Sequence, residues 1–336
     1  MGFSAPLFPR VVVVTRPTEL DQLLGRHGTR QQARFFLETR GGSIEDAEQR
    51  QRVFDGATKV VSRSIPTDWR RTSVGRSDLD RFLFEPNDVV VAIGQDGLVA
   101  NVAKYLDGQP VIGIDPEPGR NAGVLVPHEA ASLADHLADL VAGRSALEER
   151  TMVVARLDGG PSLYALNEIF VGHRSHQSAR YRLCEAGGME RQSSSGLIVA
   201  TGTGATGWAS SIARQRRMKT RLPEPSEPRL AWFVREAWES PATRTTRTSG
   251  VLERRAPLRI ESEMEDGVVF GDGIEGDCLA LPWGQPVEVA VADRALRLVG
   301  DSRPQPRSPE EAPSMSRRRE LLRRRGRERQ DGVRPR

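Results

Sequence analysis

The sequence predicts an α/β N-terminal domain with a parallel sheet, followed by a β-rich C-terminal domain. Three observations carry that prediction. Continuous apolar runs at residues 11–14 and 89–93 alternate with helix-patterned segments up to about residue 145, the texture of parallel strands buried on both faces. From Met152 the pattern becomes short alternating or apolar strands separated by glycine turns, with one helix-compatible stretch after Gly207. Beyond residue 301 Pro, Ser and Arg replace core-forming residues.

The elements follow in order. Residues 11–14 are a first strand. The stretch PTELDQLLGRHG begins a helix, with Pro17 suited to its first turn and Arg16 or Thr15 near the cap. RQQARFFLETRG is a helix with Ala33, Phe36 and Leu37 at helical spacing and Gly41 as its stop. Residues 44–65 form a long polar helix with an apolar stripe at Ile44, Ala47, Val53, Ala57, Val60 and Val61. SDLDRFLFEPND is a short helix closed by Pro86-Asn87. Strand 89–93, helix LVANVAKYLDG, strand PVIGID and a helix within ASLADHLADLVAGRSALEE complete the first domain, placed at 1–145. The β-rich domain is placed at 150–285. Residues 286–301 offer a possible return strand to the first sheet, and 302–336 read as a disordered, arginine-rich tail.

Composition narrows the class. Among 336 residues no apolar run approaches the roughly 20 that a membrane helix needs. MGFSAPLFPR lacks a signal-peptide apolar region, and Pro6 stands where a myristoylation motif has Ser or Thr. A soluble, cytoplasmic protein is expected. Cys184 and Cys278 are the two cysteines, far apart and outside any C-x-x-C, so neither a disulfide framework nor a zinc ribbon is expected. The net charge is +4, yet the tail from residue 302 carries twelve Arg against five acids, which leaves the rest mildly acidic. The tail suits either a solvated segment or an arm for nucleic acid or an acidic partner. Lys59, Lys104 and Lys219 are the only lysines among 49 basic residues, a bias fitting a GC-rich bacterial genome.

The stretch SGLIVATGTGATGWASSIAR sets Gly202, Gly204 and Gly207 at the spacing G-x-G-x-x-G after an apolar run. A dinucleotide fold of the Rossmann type would need a second strand ending in an acid about 20 residues on. Here that region is RLPEPSEPRLAWFVRE, with Glu224 and Glu227 in a proline-rich loop, so the Rossmann reading fails. What remains is a phosphate- or ribose-contacting loop, or a tight strand–helix packing turn. Upstream, GQDG puts Gly94, Gln95, Asp96 and Gly97 at the end of a buried strand, where open α/β sheets bind ligands. Asp96 there is a ligand contact or a helix cap. Asn167-Glu168 is an amide–carboxylate pair able to read an adenine edge and a ribose hydroxyl pair, or an ordinary turn or edge-strand pair. His173 and His176 have a loose metal-ligand spacing but read as solvated loop residues, and no metal ligands are assigned. The acids of SEMEDG and GDGIEGD suit a cation site but read first as turn residues between strands, and Trp232 and Trp238 read as core or interface.

GQDG, NE and SSGLIVATGTGATGW, in this order and at these separations, resemble the G-G-D-G, N-E and D-G-x-x-x-x-T-P-T-G-S-T-A-Y motifs of the NAD kinases. PVIGIDPEPGRNAGVLVP and the segment from SEMEDG to ADRALRLV are similar to the mitochondrial-type branch. The resemblance spans about residues 85–300 and implies an ATP-dependent phosphorylation of the adenosine-ribose 2′-hydroxyl of NAD, giving NADP, with Mg²⁺ carried on the ATP phosphates. It implies Asp96 as general base and Asn167 and Glu168 as the adenosine-holding pair. Thr203, Gly204, Thr206 and Gly207 would be the nucleotide loop, and Gly94 and Gly97 would line the phosphates. A homodimer is expected with it. Departures are Gln95 for Gly, Leu98 for Thr, Ser195 for Asp, Gly202 for Pro, Ala205 for Ser and Trp208 for Tyr. They leave a second expectation open, a nucleotide-binding regulator that has lost transfer, and a third, a kinase of the same superfamily acting on another hydroxyl.

Overall fold

The computed structural model describes residues 8–120, 123–185, 188–218 and 221–300, and the arginine-rich tail lies outside them. Strand β1 (Val11–Thr15) is four buried valines and a threonine. It pairs in parallel with β2 (Arg71–Gly75) on one side and β3 (Val89–Ile93) on the other, and β3 pairs in parallel with β4 (Pro110–Asp115). Strand β2 escaped the sequence reading because RTSVG buries one residue, Val74; it is an edge strand, where polar residues are tolerated.

Three helices connect β1 to β2: α1 (Glu19–His27), α2 (Arg30–Glu38) and α3 (Ile44–Ser64). The first starts later than Pro17. Thr18 is its cap, because Thr18 and Asp21 exchange side-chain-to-backbone bonds at 2.9 and 3.2 Å in a capping box. SDLDRFLFEPND forms only a 3₁₀ turn over Arg76–Arg81. Helix α4 (Asp96–Ala103) joins β3 to β4; β5 (His128–Glu129) adds two residues beside β4, and α5 (Leu133–Val141) follows.

The remaining strands are β6 (Leu147–Leu157), β7 (Ser162–Ala165), β8 (Glu168–His173), β9 (Ala179–Glu185), β10 (Gly188–Ser194) and β11 (Leu197–Ala200). After α6 (Trp208–Gln215) come β12 (Arg229–Val234), β13 (Ser249–Glu253), β14 (Leu258–Ser262), β15 (Gly267–Gly271), β16 (Cys278–Ala280) and β17 (Pro286–Val299). They divide between two sheets. Six of them, in the order β13-β12-β11-β8-β15-β16, form an all-antiparallel sheet. The others extend the parallel sheet to eleven strands.

Strand β17 makes that extension. Its end, Arg297-Leu298, pairs in parallel with Pro110-Val111 of β4, while its length runs antiparallel to β6 and β14. The large sheet therefore crosses the stretch 145–150, and residues up to Gly300 form one compact unit.

Alternation along these strands builds the interior. Val153, Tyr181, Leu183 and Val287 of the large sheet meet Val171, Val199, Trp232 and Val269 of the small one. Helix α4 packs with Leu98, Val99 and Val102 against Val12, Val90 and Val111, together with Leu166. On the other face Ile112 and Ile114 meet Leu133 and Leu137 of α5 and Val61 of α3. At about 1.5–3 kcal/mol for each buried aliphatic side chain, these faces hold the sheets together. Trp232 is in the core, and Trp238 is at the surface.

Candidate functional site

The GQDG segment leaves β3 where the sheet's carboxyl ends meet. The Gly94 N–H donates to the Ile114 carbonyl at 3.0 Å, so the ladder runs one residue past β3. Gln95 then caps α4 and Asp96 opens it. The Asp96 side chain turns outward to another loop: its carboxylate accepts the N–H of Leu125 at 2.8 Å and of Val124 at 3.2 Å. Sequence permits that loop to come so close. A Cβ on Gly113 of β4 would lie 1.9 Å from the Leu125 carbonyl oxygen, so only glycine fits.

Beside Asp96 a cavity of about 340 Å³ opens at the carboxyl ends of β1, β3 and β4. Arg16, Arg50 and Arg120 line it, with Gly94, Gln95 and Phe54. Arg50 pairs with Glu19, and Arg120 with Glu117 at 2.9 Å. Arg16 instead donates to the Gln95 side-chain oxygen at 2.7 Å. The side chain that replaces the family's glycine thus holds a cation at the mouth of this cavity.

The Asn167-Glu168 pair stands at the entry to β8, fixed by a residue the sequence reading passed over as a turn acid. Asp272 accepts the backbone N–H of Asn167 at 2.7 Å, of Leu166 at 3.0 Å and of Glu168 at 3.3 Å. Its own N–H returns to the Glu168 carbonyl at 3.0 Å. Burial pushes the Asp272 carboxyl up, against the pull of those amides and of Lys104. Burial, with Asp272 close by, pushes the Glu168 carboxyl up to about 7. A signal for Asp272 did exist: it sits between glycines at a φ of 55°, a conformation Asp tolerates better than most residues.

The glycine loop closes on the same turn. Thr201, buried, donates its hydroxyl to the Leu166 carbonyl at 2.5 Å and accepts the N–H of Thr203 and Gly204 at 3.1 and 3.2 Å. The Thr201 N–H donates to the Asn167 carbonyl at 2.9 Å. Gly204, Ala205 and Thr206 make a 3₁₀ turn before α6. Thr203 is buried with its hydroxyl unpartnered among the described residues, and Thr206 and Gly207 are exposed. This is a strand–turn–helix loop of a β-rich region, as the failed Rossmann context required.

So the structure joins Asn167, Glu168, Thr203 and Gly204 into one backbone-knit unit. Gly94, Asp96 and Gly97 lie where β3 ends and α4 begins. Among the described residues the Asp96 carboxylate bonds Val124 and Leu125, and no hydrogen bond joins it to the Asn167-Glu168 turn or the glycine loop. His173 and His176 line a larger cavity of about 610 Å³ with Phe170, Trp208, Arg235 and Ser195. Trp208 stacks on Phe170 there at 6.2 Å, with the Arg235 guanidinium 5.0 Å from the Trp208 ring centre. The aromatic residues of that wall sit on separate elements, Phe170 on β8, Phe270 on β15 and Trp208 at the start of α6, which hid the cavity from the sequence reading. Among the described residues no three His, Cys, Asp or Glu side chains gather to hold a metal ion.

No family model matches the chain. The fold is that of solved NAD and NADH kinases. A yeast NADH kinase complexed with NADH superposes with a TM-score of 0.56 at 14% identity, over 88% of this chain and 84% of that one. An NAD kinase from Archaeoglobus fulgidus in complex with ATP gives 0.54 at 17% identity, over 87% and 94%. By sequence, the chain is 37% identical over 131 residues to an NAD kinase of Heliobacterium modesticaldum, covering 36% of this chain and 45% of that protein. This chain is similar to NAD kinases in sequence and in fold. It is also similar to the mitochondrial NAD kinase 2 of Rattus norvegicus, 26% identical over 256 residues, 61% of this chain and 60% of the other. The chain thus spans about half the length of the curated relatives it matches.

Proposed function

We propose that this protein is an NAD kinase, transferring the ATP γ-phosphoryl group to the adenosine-ribose 2′-hydroxyl of NAD to give NADP. The observation that carries the reading is the closure of the glycine loop on the Asn167 carbonyl, which presents an amide–carboxylate pair and a small-residue loop side by side in a fold shared with NAD and NADH kinases. In this reading Asn167 and Glu168 hold the adenosine, the carboxylate accepting from ribose hydroxyls. Thr203, Gly204, Thr206 and Gly207 line the nucleotide. Asp96 takes the 2′-hydroxyl proton as the phosphoryl group arrives. Gly94 and Gly97 face the donor phosphates, and the arginine-lined cavity beside them supplies positive charge.

Mg²⁺ belongs to the proposal as a cation carried by the ATP phosphates, where it neutralises charge that develops during transfer. A bacterial, cytoplasmic homodimer is the proposed setting. No helix among the described residues is long and apolar enough to cross a membrane.

Two observations favour a second reading, a nucleotide-binding regulator without transfer. The Asp96 carboxylate is engaged by two amides, and Gln95 occupies Arg16. NADP formation by the purified protein with NAD, ATP and Mg²⁺ decides between them. Turnover establishes the kinase. No turnover, with NAD still protecting the fold against heat, establishes the regulator; neither result with NAD, but transfer to another small-molecule hydroxyl, would move the protein to a different acceptor.

A further inference from the structure

We infer that Lys104 and Asp272 are positioning residues, a clamp that fixes the Asn167-Glu168 turn against the helix that begins at Asp96. The inference rests on the NAD kinase reading and deepens it, because it says how the two parts of the site are kept in register.

Lys104 follows α4 directly, and its side chain is only 3% exposed. A lysine is rarely so buried unless it is paired. Its ammonium donates to the Gly271 carbonyl at 2.9 Å and lies 3.4 Å from the Asp277 carboxylate. Gly271 ends β15, and the next residue is Asp272, whose carboxylate gathers the three amides of Leu166, Asn167 and Glu168. The chain of contacts is therefore short: α4, Lys104, Gly271-Asp272, then the Asn167-Glu168 backbone.

A second cation secures the same helix end. Arg294 donates to the Lys104 carbonyl at 2.5 Å while its guanidinium lies 3.5 Å from the centre of the Tyr164 ring. Tyr164 lies on β7, whose strand leads into Leu166. Both attachments thus tie the end of α4 to the segment carrying Asn167 and Glu168. At 1.5 Å per residue the eight-residue helix is a strut of about 12 Å, and its other end is held by the Asp96 carboxylate on Val124 and Leu125. A displacement at Lys104 reaches both ends. Neither Lys104 nor Asp272 is placed against substrate; each acts through the backbone it holds.

The test compares Lys104→Met and Asp272→Asn with the parent and with Lys104→Arg, which keeps the cation. Backbone amide exchange at residues 166–168 is expected to speed up by about tenfold or more in the first two variants. KM for NAD is expected to rise by about tenfold while KM for ATP stays within about twofold. Lys104→Arg is expected to recover most of both effects. Unchanged exchange at 166–168, or equal rises in both KM values, overturns the clamp and leaves these residues merely structural. If Lys104→Met does not fold, Asp272→Asn carries the same two readouts. Failure of the underlying function would show in the parent itself, which would form no NADP, whereas the exchange measurement judges the clamp without any turnover.

Discussion

A Cβ on Gly204 would lie 2.1 Å from the Asn167 carbonyl oxygen, so the glycine loop and the Asn-Glu turn touch backbone to backbone. The contact explains why this position must be glycine without appeal to a phosphate. Gly204→Ala is expected to destabilise the protein by about 1–3 kcal/mol, the usual cost of overpacking, and to weaken NAD binding. Gly207→Ala is the control, since a Cβ there meets nothing nearer than 3.7 Å. Thermal unfolding of the two variants checks this; equal damage from both would mean that close packing is not the reason for the glycine.

The Glu168 carboxyl, pushed from its ordinary 4.5 up to about 7, makes stability depend on pH. Below 4.5 both the folded and the unfolded chain hold the proton. Between the two values the folded protein keeps a proton that the unfolded chain releases, so stability falls as pH rises, by about 3 kcal/mol in all. Glu168→Gln removes that loss. The variant is expected to match the parent near pH 5 and to melt at a higher temperature at pH 8. In the proposed function ribose hydroxyls donate to the ionised carboxylate, so NAD binding to the parent is expected to tighten as pH rises through about 7. A flat profile of NAD affinity against pH would remove Glu168 from the ribose.

How much of this was legible beforehand depends on which force sets each feature. The buried runs at 11–14 and 89–93 were plain, because burial on both faces writes continuous apolar runs. Strand β2 was hidden, because an edge strand is held by β1 and not by its own pattern. GQDG, Asn167-Glu168 and the glycine loop stand out in the sequence by order and spacing. Asp272, Thr201 and Lys104 do not, because their roles are hydrogen bonds to backbone groups up to 167 residues away. Arg16 was read only as a capping neighbour; its contact with Gln95 needed the parallel pairing of β1 with β3 to bring the two strand ends together.

Asp96→Asn separates chemistry from architecture. An asparagine keeps one oxygen for the amides of Val124 and Leu125, so the structural cost should be about one hydrogen bond, roughly 1 kcal/mol. Loss of a general base typically costs about 10²–10⁴ in rate. The expected result is a kcat reduced by that factor with a melting temperature close to the parent's. A variant that melts early and keeps its kcat would assign Asp96 to the loop alone.

Gln95 is the departure whose consequence is most open to measurement. Its side chain accepts the guanidinium of Arg16 at the edge of the arginine-lined cavity, and the family's glycine could not. A donor phosphate that recruits Arg16 must first break that bond, which is worth about 0.5–1.5 kcal/mol. Gln95→Gly is therefore expected to lower KM for ATP by about two- to tenfold, with KM for NAD unchanged. Arg16→Ala should raise KM for ATP and abolish the benefit of the glycine in the double variant, since the two residues share one interaction. If Gln95→Gly instead raises KM for ATP, the glutamine itself grips the phosphates, and the departure from the family is an adaptation of the donor site and not a brake on it.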